Sequence, residues 1–266
     1  MRSNELTILK LGGSVITFKD RPLTPNMLAI KRLAKEIAES QFSPLIIVHG
    51  GGSFGHPLAS EYKITNGFKS KSQMTGLSKT HNAMIRLNML VIESLLNAGL
   101  PAFSIAPSSF IITRHGRIKD LFKDVLAHAV KLGFTPVLYG DAVFDCNLGF
   151  TILSGDQLVS KLAIELDARK IIAGVDVDGL YTADPKVDPN AQLISHITVN
   201  ELKSLISSVG GSRVIDVTGG MMGKVSELLD SVERGVEALI VNASKPNNIY
   251  RALRGEEVIG TKITRR

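Results

Sequence analysis

An apolar run, Pro44-Leu45-Ile46-Ile47-Val48, breaks directly into three consecutive glycines within His49-Gly50-Gly51-Gly52-Ser53-Phe54-Gly55-His56. A short apolar run bounded by turn residues reads as a buried strand. A strand buried on both faces demands a sheet covered by helices on each side. Without Cβ atoms, the backbone of such a glycine loop can turn its N–H groups around an anion. A histidine stands at each end of the loop. This is the architecture of a phosphate site.

The same grammar runs through the whole chain. Strand-like runs at Leu6–Leu11, Ser43–Val48, Pro101–Ala106, Phe134–Tyr139, Lys170–Val175, Ala238–Asn242 and Val258–Ile263 alternate with helical patterns. Thr24-Pro25 supplies an N-cap and first-turn proline for a helix with Met27, Ile30, Leu33, Ala34 and Ile37 on one face. Leu77, Met84, Leu87, Val91 and Leu95 are in register on a long helix from about Gln73 to Asn97, which Gly99 stops. Further helices are predicted around Leu121–Leu132, after Asp156 as a cap (Leu158, Leu162, Leu166), from about Met222 to Arg234, and briefly after Pro246. The pattern predicts an α/β fold, a three-layer sandwich around a mainly parallel sheet, with ligands beyond the carboxyl ends of its strands. No linker divides it. One domain over residues 1–266 is expected, with a lobe covering 1–153 and another covering 154–266.

Charge and cysteine usage narrow the function. The net charge of +6 favours anionic ligands. The basic residues are dispersed apart from Thr264-Arg265-Arg266, and the chain has no tryptophan for base stacking, so a small anionic substrate is favoured over nucleic acid. The single Cys146 excludes an internal disulfide framework and a cysteine zinc site, and suits a reducing cytoplasm. The amino terminus enters a strand-like segment with no export signal. No apolar run approaches the roughly 18 residues that span a bilayer, so neither membrane insertion nor export is expected. His81, His115, His128 and His196 form no metal-binding spacing.

Five glycine or acidic motifs fall at strand ends or helix starts. They are Lys10-Leu11-Gly12-Gly13-Ser14, the His49–His56 loop, Ser154-Gly155-Asp156, the run from Asp176 to Pro185, and Thr218-Gly219-Gly220-Met221-Met222-Gly223-Lys224. Each alone is an ordinary turn; five at corresponding positions point to one site. None is a Walker A loop. Gly50–Gly55 has G-x-G-x-x-G spacing but lacks the acidic residue about twenty positions on that a dinucleotide site uses.

The order of these motifs resembles the amino acid kinase superfamily over nearly the whole chain. Within it, His-Gly-Gly-Gly-Ser-Phe-Gly-His, Ser154-Gly155-Asp156, Gly260-Thr261 and Lys19 resemble the isopentenyl phosphate kinases. The resemblance implies ATP-dependent phosphorylation of a prenyl monophosphate, isopentenyl phosphate, to the diphosphate in the archaeal-type mevalonate route of isoprenoid biosynthesis. It implies magnesium, held mostly by phosphate oxygens and water with no protein ligand named, and a homodimer. The acceptor oxygen is already ionised, so lysines and amides should dominate over a base.

Residue by residue, the resemblance implies catalytic roles for Lys10, Lys19, His56, Asp156 and Lys224. Lys10 and Lys224 face the phosphates and Asp156 holds both lysines. For Lys19, stabilisation of the transition state stands beside a plain surface charge. His56 would bond the acceptor phosphate; its alternative is a packed or capping histidine at a helix start. His49 should bond neighbouring backbone. Gly51, Gly52 and Gly155 would complete the acceptor side, with Met84, Leu87 and Ile152 as candidate walls for the prenyl tail, or ordinary core. Lys10, Gly12, Gly13, Ser14, Gly52, Asp176, Gly179, Tyr181, Asp184, Pro185, Gly219, Gly220 and Lys224 would bind ATP, with Gly12, Gly13, Gly51 and Gly52 donating main-chain N–H groups. The rival functions are a kinase of the same fold for another acceptor (fosfomycin, uridylate, acetylglutamate, glutamate or aspartate), a non-catalytic nucleotide sensor, and nucleic-acid binding.

Overall fold

The computed structural model describes residues 5–183, 188–209 and 221–266. Strand β1 (Thr7–Leu11) leads into a single helical turn, α1 (Gly13–Ile16), and then into α2 (Met27–Ser40) and β2 (Leu45–His49). The triple glycine opens α3 (Gly52–Glu61), which is followed by the long α4 (Lys71–Asn97). Next come β3 (Ala102–Ser104), the hairpin of β4 (Ile111–Arg114) and β5 (Arg117–Leu121), α5 (Asp124–Lys131), β6 (Thr135–Tyr139) and a second hairpin, β7 (Asp141–Asp145) with β8 (Gly149–Leu153). The chain continues through α6 (Gly155–Glu165), β9 (Lys170–Val175), the short ribbon β10 (Leu180–Tyr181) with β11 (Leu193–Ile194), β12 (His196–Thr198) and α7 (Val199–Val209). The last described elements are α8 (Met221–Glu233), β13 (Glu237–Asn242), α9 (Asn248–Arg254) and β14 (Gly260–Thr264).

Eight strands form the central sheet in the order β12-β14-β13-β9-β1-β2-β6-β3. From β13 to β3 every neighbour is parallel, while β14 runs antiparallel to β13. The strand period of two sorts the side chains between two cores. Ile8, Ile46, Leu138, Ile171 and Ile240 face α6 and α8, where Leu158, Leu162, Val225 and Leu228 meet them. Leu9, Ile47, Val137, Ile172 and Val241 face α2, α4 and α9, where Leu33, Leu87, Val91 and Leu253 meet them. The predicted α/β three-layer sandwich is therefore the observed one. Strands β1, β2, β6 and β3 from the first part of the chain lie on one side of the β1–β9 pair, and the later strands lie on the other.

Several elements differ from the sequence reading. α2 begins two residues after Pro25, because Asn26 is the N-cap and accepts a hydrogen bond from the Ala29 amide (3.2 Å). α4 begins two residues before Gln73, since Ser70 and Gln73 form a capping box. The helix predicted around Leu121–Leu132 starts only at Asp124, and Leu121 instead ends β5. The hairpins β4–β5 and β7–β8, which form a separate four-stranded sheet, and helix α7 were not anticipated. Half of the predicted His49–His56 loop is helix: α3 starts at Gly52 and carries His56.

Candidate active site

The carboxyl ends of β1 and β2 carry the two glycine loops, and their backbones interlock. A Cβ on Gly50 would come within 2.7 Å of the Gly13 nitrogen, and one on Gly13 within 2.7 Å of Gly52 Cα. Gly52 also has φ +47° and faces the Thr17 hydroxyl. Thr17 ties the loops together: its hydroxyl donates to the Gly13 carbonyl (2.7 Å) and accepts from the Ser53 amide (3.0 Å). The amides of Gly13, Ser14, Gly51 and Gly52 have no partner among the described residues. These free N–H groups open α1 and α3, so the partial positive charge of each helix start adds to them. Gly12 is a correction to the predicted donors. Its amide is spent on the Gly174 carbonyl (2.8 Å), which locks the β1 loop to β9.

Charge converges beside this cradle. Lys10 shares the face of β1 that looks toward α6, and it is almost fully buried. Its ammonium is ion-paired with Asp156 Oδ1, and Lys224, on α8, reaches Asp156 Oδ2 at 3.5 Å. Asp156 is not the helix cap predicted for it. Ser154 caps α6, its hydroxyl accepting from the Gln157 amide (3.1 Å), which leaves both Asp156 oxygens for lysine. Burial alone would raise the Asp156 carboxyl, but Lys10 and Lys224 overcome it and hold the group below its ordinary range. Burial pushes the Lys10 ammonium down, against the attraction of Asp156 and with the repulsion of Lys224. Two cations share one anion here, so the cluster keeps an unmatched positive charge.

His56 sits on α3 with a face open to solvent and no hydrogen-bond partner among the described residues. Partial burial, then the nearby Lys224 and Lys10, push its ring below the usual imidazole range. His49 is different: it is fully buried, stacked on Tyr139 (ring centroids 5.5 Å apart), and pushed down to about 4 by burial. His49 places Nδ1 3.1 Å from the Gly50 carbonyl and Nε2 3.2 Å from Asn88 Oδ1, so it shapes the loop. Gly155 opens α6 close to Lys10 Cε and the His49 carbonyl.

Lys19 reaches Asp176 at 3.0 Å, on the side of β9. Lys19 and, to a lesser degree, Ser14 hold the Asp176 carboxyl down against a burial effect that would raise it. Gly179 packs against the Thr261 side chain, and the Tyr181 hydroxyl lies 3.5 Å from Asp178. Asp178 itself accepts from Asn242 (3.0 Å) and pairs with Lys245 (2.8 Å). The reading from sequence missed Lys245 and Asn242. They lie 67 and 64 residues from Asp178, and only the β9–β13 pairing brings them together. Asp184, Pro185, Thr218, Gly219 and Gly220 lie outside the described residues.

The candidate tail walls separate. The Met84 sulfur lies next to Gly51 and Gly55, and Ile152 is partly buried with Tyr62 and Leu77. Met84 and Leu87 are both buried in the α2–α4–α9 core, and of the two Met84 is the one that reaches the glycine loop. An apolar groove of about 510 Å³ lies elsewhere, lined by Phe103, Phe122, Val125, Leu132 and Phe134.

Backbone interlock makes a testable prediction. Gly52→Ala should destabilise the fold by at least about 1–3 kcal/mol from its positive φ alone, and it should abolish phosphate binding. Gly55→Ala meets only the flexible Met84 side chain at 3.2 Å and should be near neutral. Urea unfolding of both variants checks this; equal losses would contradict it.

Comparison with known proteins agrees with this geometry. A model of the amino acid kinase family matches residues 5–242. Isopentenyl phosphate kinase from Methanothermobacter thermautotrophicus is 44% identical, over 97% of this chain and 99% of the relative. The Methanocaldococcus jannaschii isopentenyl phosphate kinase is 38% identical over 97% of this chain and 98% of its own length. A crystal structure of isopentenyl phosphate kinase superimposes with a TM-score of 0.85 at 41% identity, covering 97% of this chain and all of that one. The interlocked glycine loops, the lysine–aspartate–lysine cluster and these relatives agree: the chain belongs to the amino acid kinase family, in the branch of the isopentenyl phosphate kinases.

Proposed function

We propose that this protein transfers the γ-phosphoryl group of ATP to isopentenyl phosphate, yielding isopentenyl diphosphate and ADP, a step of isoprenoid biosynthesis by the archaeal-type mevalonate route. An ionised oxygen of the acceptor phosphate forms a bond to the γ-phosphorus while the bond from that phosphorus to the β–γ bridging oxygen breaks, and ADP leaves with the electron pair. No proton has to be removed from the acceptor. The protein's task is to bring two polyanions into line and offset their repulsion.

The observation that carries this reading is His56 beside the two lysines that share Asp156. Lys10 and Lys224 have positive charge to spare for the transferring group, and Asp156 keeps their ammonium groups together. The free amides of Gly51 and Gly52, with His56, suit the phosphate of the acceptor; those of Gly13 and Ser14 suit ATP. An acceptor phosphate beside His56 would favour its charged form. Lys19, paired with Asp176 beyond β9, would serve the transferring group. Gly155, Met84 and Ile152 border the acceptor side. Gly179 and Tyr181 border the nucleotide side, toward which Gly219 and Gly220 would extend. Residues 1–153 would thus serve chiefly the acceptor and 154–266 the nucleotide. Among the described residues no three His, Cys, Asp or Glu side chains converge on one point. Magnesium would arrive on the ATP phosphates, where it supplies further charge neutralisation. Among the described residues no helix is long and apolar enough to cross a membrane. A cytoplasmic setting belongs to this reading, and the single Cys146 suits a reducing compartment.

An acceptor series tests the reading: isopentenyl phosphate, fosfomycin, uridylate and acetylglutamate, each with ATP and magnesium. Isopentenyl phosphate should be turned over best. His56→Ala should lower its kcat/KM by about a hundredfold or more and leave the KM for ATP little changed. Preference for uridylate or acetylglutamate, or full activity of His56→Ala, would contradict it.

A homodimer is also proposed, through the β3 edge. Phe122 is 61% and Leu132 64% exposed beside Phe103 and Phe134, whose rings meet edge to face at 5.8 Å. Such an apolar patch on a sheet edge suits a second copy of the chain. Sedimentation equilibrium should give a dimer for the natural chain and a monomer for Phe122→Glu combined with Leu132→Glu; a monomeric natural chain would refute the interface.

A further inference from the structure

The loop that carries Lys19 is fastened to the glycine loop after β2, while its ammonium is fastened to the strand end after β9. At the loop's base, the Leu23 amide donates to the Ser53 carbonyl (3.1 Å) and the Ser53 amide to the Thr17 hydroxyl (3.0 Å). The Phe18 amide donates to the Thr24 carbonyl (3.0 Å), and Thr17 bridges Pro25, so the loop closes on itself. From this fixed base Lys19 spans to Asp176 Oδ2 at 3.0 Å. Asp176 directly follows β9 and is also hydrogen-bonded by the Ser14 side chain of α1. Both ends of the span are thus anchored, on opposite sides of the β1–β9 boundary.

We propose that Asp176 is a positioning residue that holds the Lys19 ammonium across the gap between the two halves of the site, in the path of the phosphoryl group, rather than a ligand of the nucleotide. The inference rests on the reading of Lys19 given above. Three physical points favour it over a direct contact with ATP. A carboxylate repels a triphosphate, so an Asp176 engaged by a lysine is a better neighbour for ATP than a bare one. A lysine side chain has many rotamers, and fixing its head group before substrate arrives lowers the entropic cost of using it. The pair is also solvent-exposed at both partners, 68% and 41%, so the ammonium stays open to an incoming phosphate. With three N–H donors, Lys19 can keep Asp176 and still donate to a phosphate oxygen. Asp156 does the same for Lys10 and Lys224, and together the two carboxylates organise three cations.

A double-mutant cycle on kcat separates the possibilities, using Lys19→Met, Asp176→Asn and the double variant, each checked for an unchanged melting temperature. Asp176→Asn should lower kcat by about fivefold, the size of effect an exposed pair can exert, with KM for ATP unchanged. In the Lys19→Met background the same substitution should produce no further loss. An equal loss in both backgrounds, or an effect carried by KM for ATP, would overturn the proposal and return Asp176 to the nucleotide. Full kcat in Lys19→Met would instead remove Lys19 from the reaction and overturn both readings.

Discussion

One carboxylate between two ammonium groups is the interaction on which the rest of the site depends. Asp156 is buried enough to be costly on its own, and Lys10 is more deeply buried still. Neither would be tolerated as a lone charge in the interior. Paired, they are stable, but Lys224 makes the balance uneven: two positive charges against one negative. A site of this kind is electrostatically incomplete until an anion enters. Burial above all, and then the repulsion of Lys224, push the Lys10 ammonium down in the free protein against the attraction of Asp156. Oriented charges of this kind act without reorganisation when negative charge crosses between two phosphates.

The backbone supplies the other half. Gly13, Gly50 and Gly52 approach so closely that no side chain could stand between them, and Thr17 holds both loops with one hydroxyl. Gly12 and Gly174 fasten this unit to the neighbouring strand. The free amides that remain are therefore held by the fold itself and do not have to be gathered by the ligand. Preorganisation and surplus positive charge together suit a phosphate, and in the proposed reading its specificity falls to the residues at the rim, chiefly His56.

Much of this was legible in the chain because it rests on short-range signals. The central strands are short apolar runs, and ten of their residues, such as Ile8 and Leu9 or Ile240 and Val241, alternate between the two cores as a period of two requires. The start of α3 was less visible, since three glycines and Pro57 all disfavour helix. Hairpin β4–β5 was hidden by its charged, largely exposed strand Arg117–Leu121, which has no apolar alternation to announce it. Asp156 looked like a cap because Ser154, two residues earlier, offers the same chemistry and only geometry decides between them. Helical spacing put Met84 and Leu87 on one face, and both are buried there, but it could not tell that Met84 packs beside the glycine loop. The Lys19–Asp176 pair spans 157 residues and leaves no mark in either local sequence.

The central claim is that the lysine–aspartate–lysine cluster carries unmatched positive charge until phosphate binds. Titration of the Lys10 ammonium by NMR on selectively labelled protein, without and with ATP and magnesium, tests it directly. In the free protein Lys10 should titrate below the ordinary lysine value of 10.5, and its pKa should rise when the nucleotide binds. A Lys10 that already titrates at or above that value in the free protein, and does not move on binding, would contradict the account.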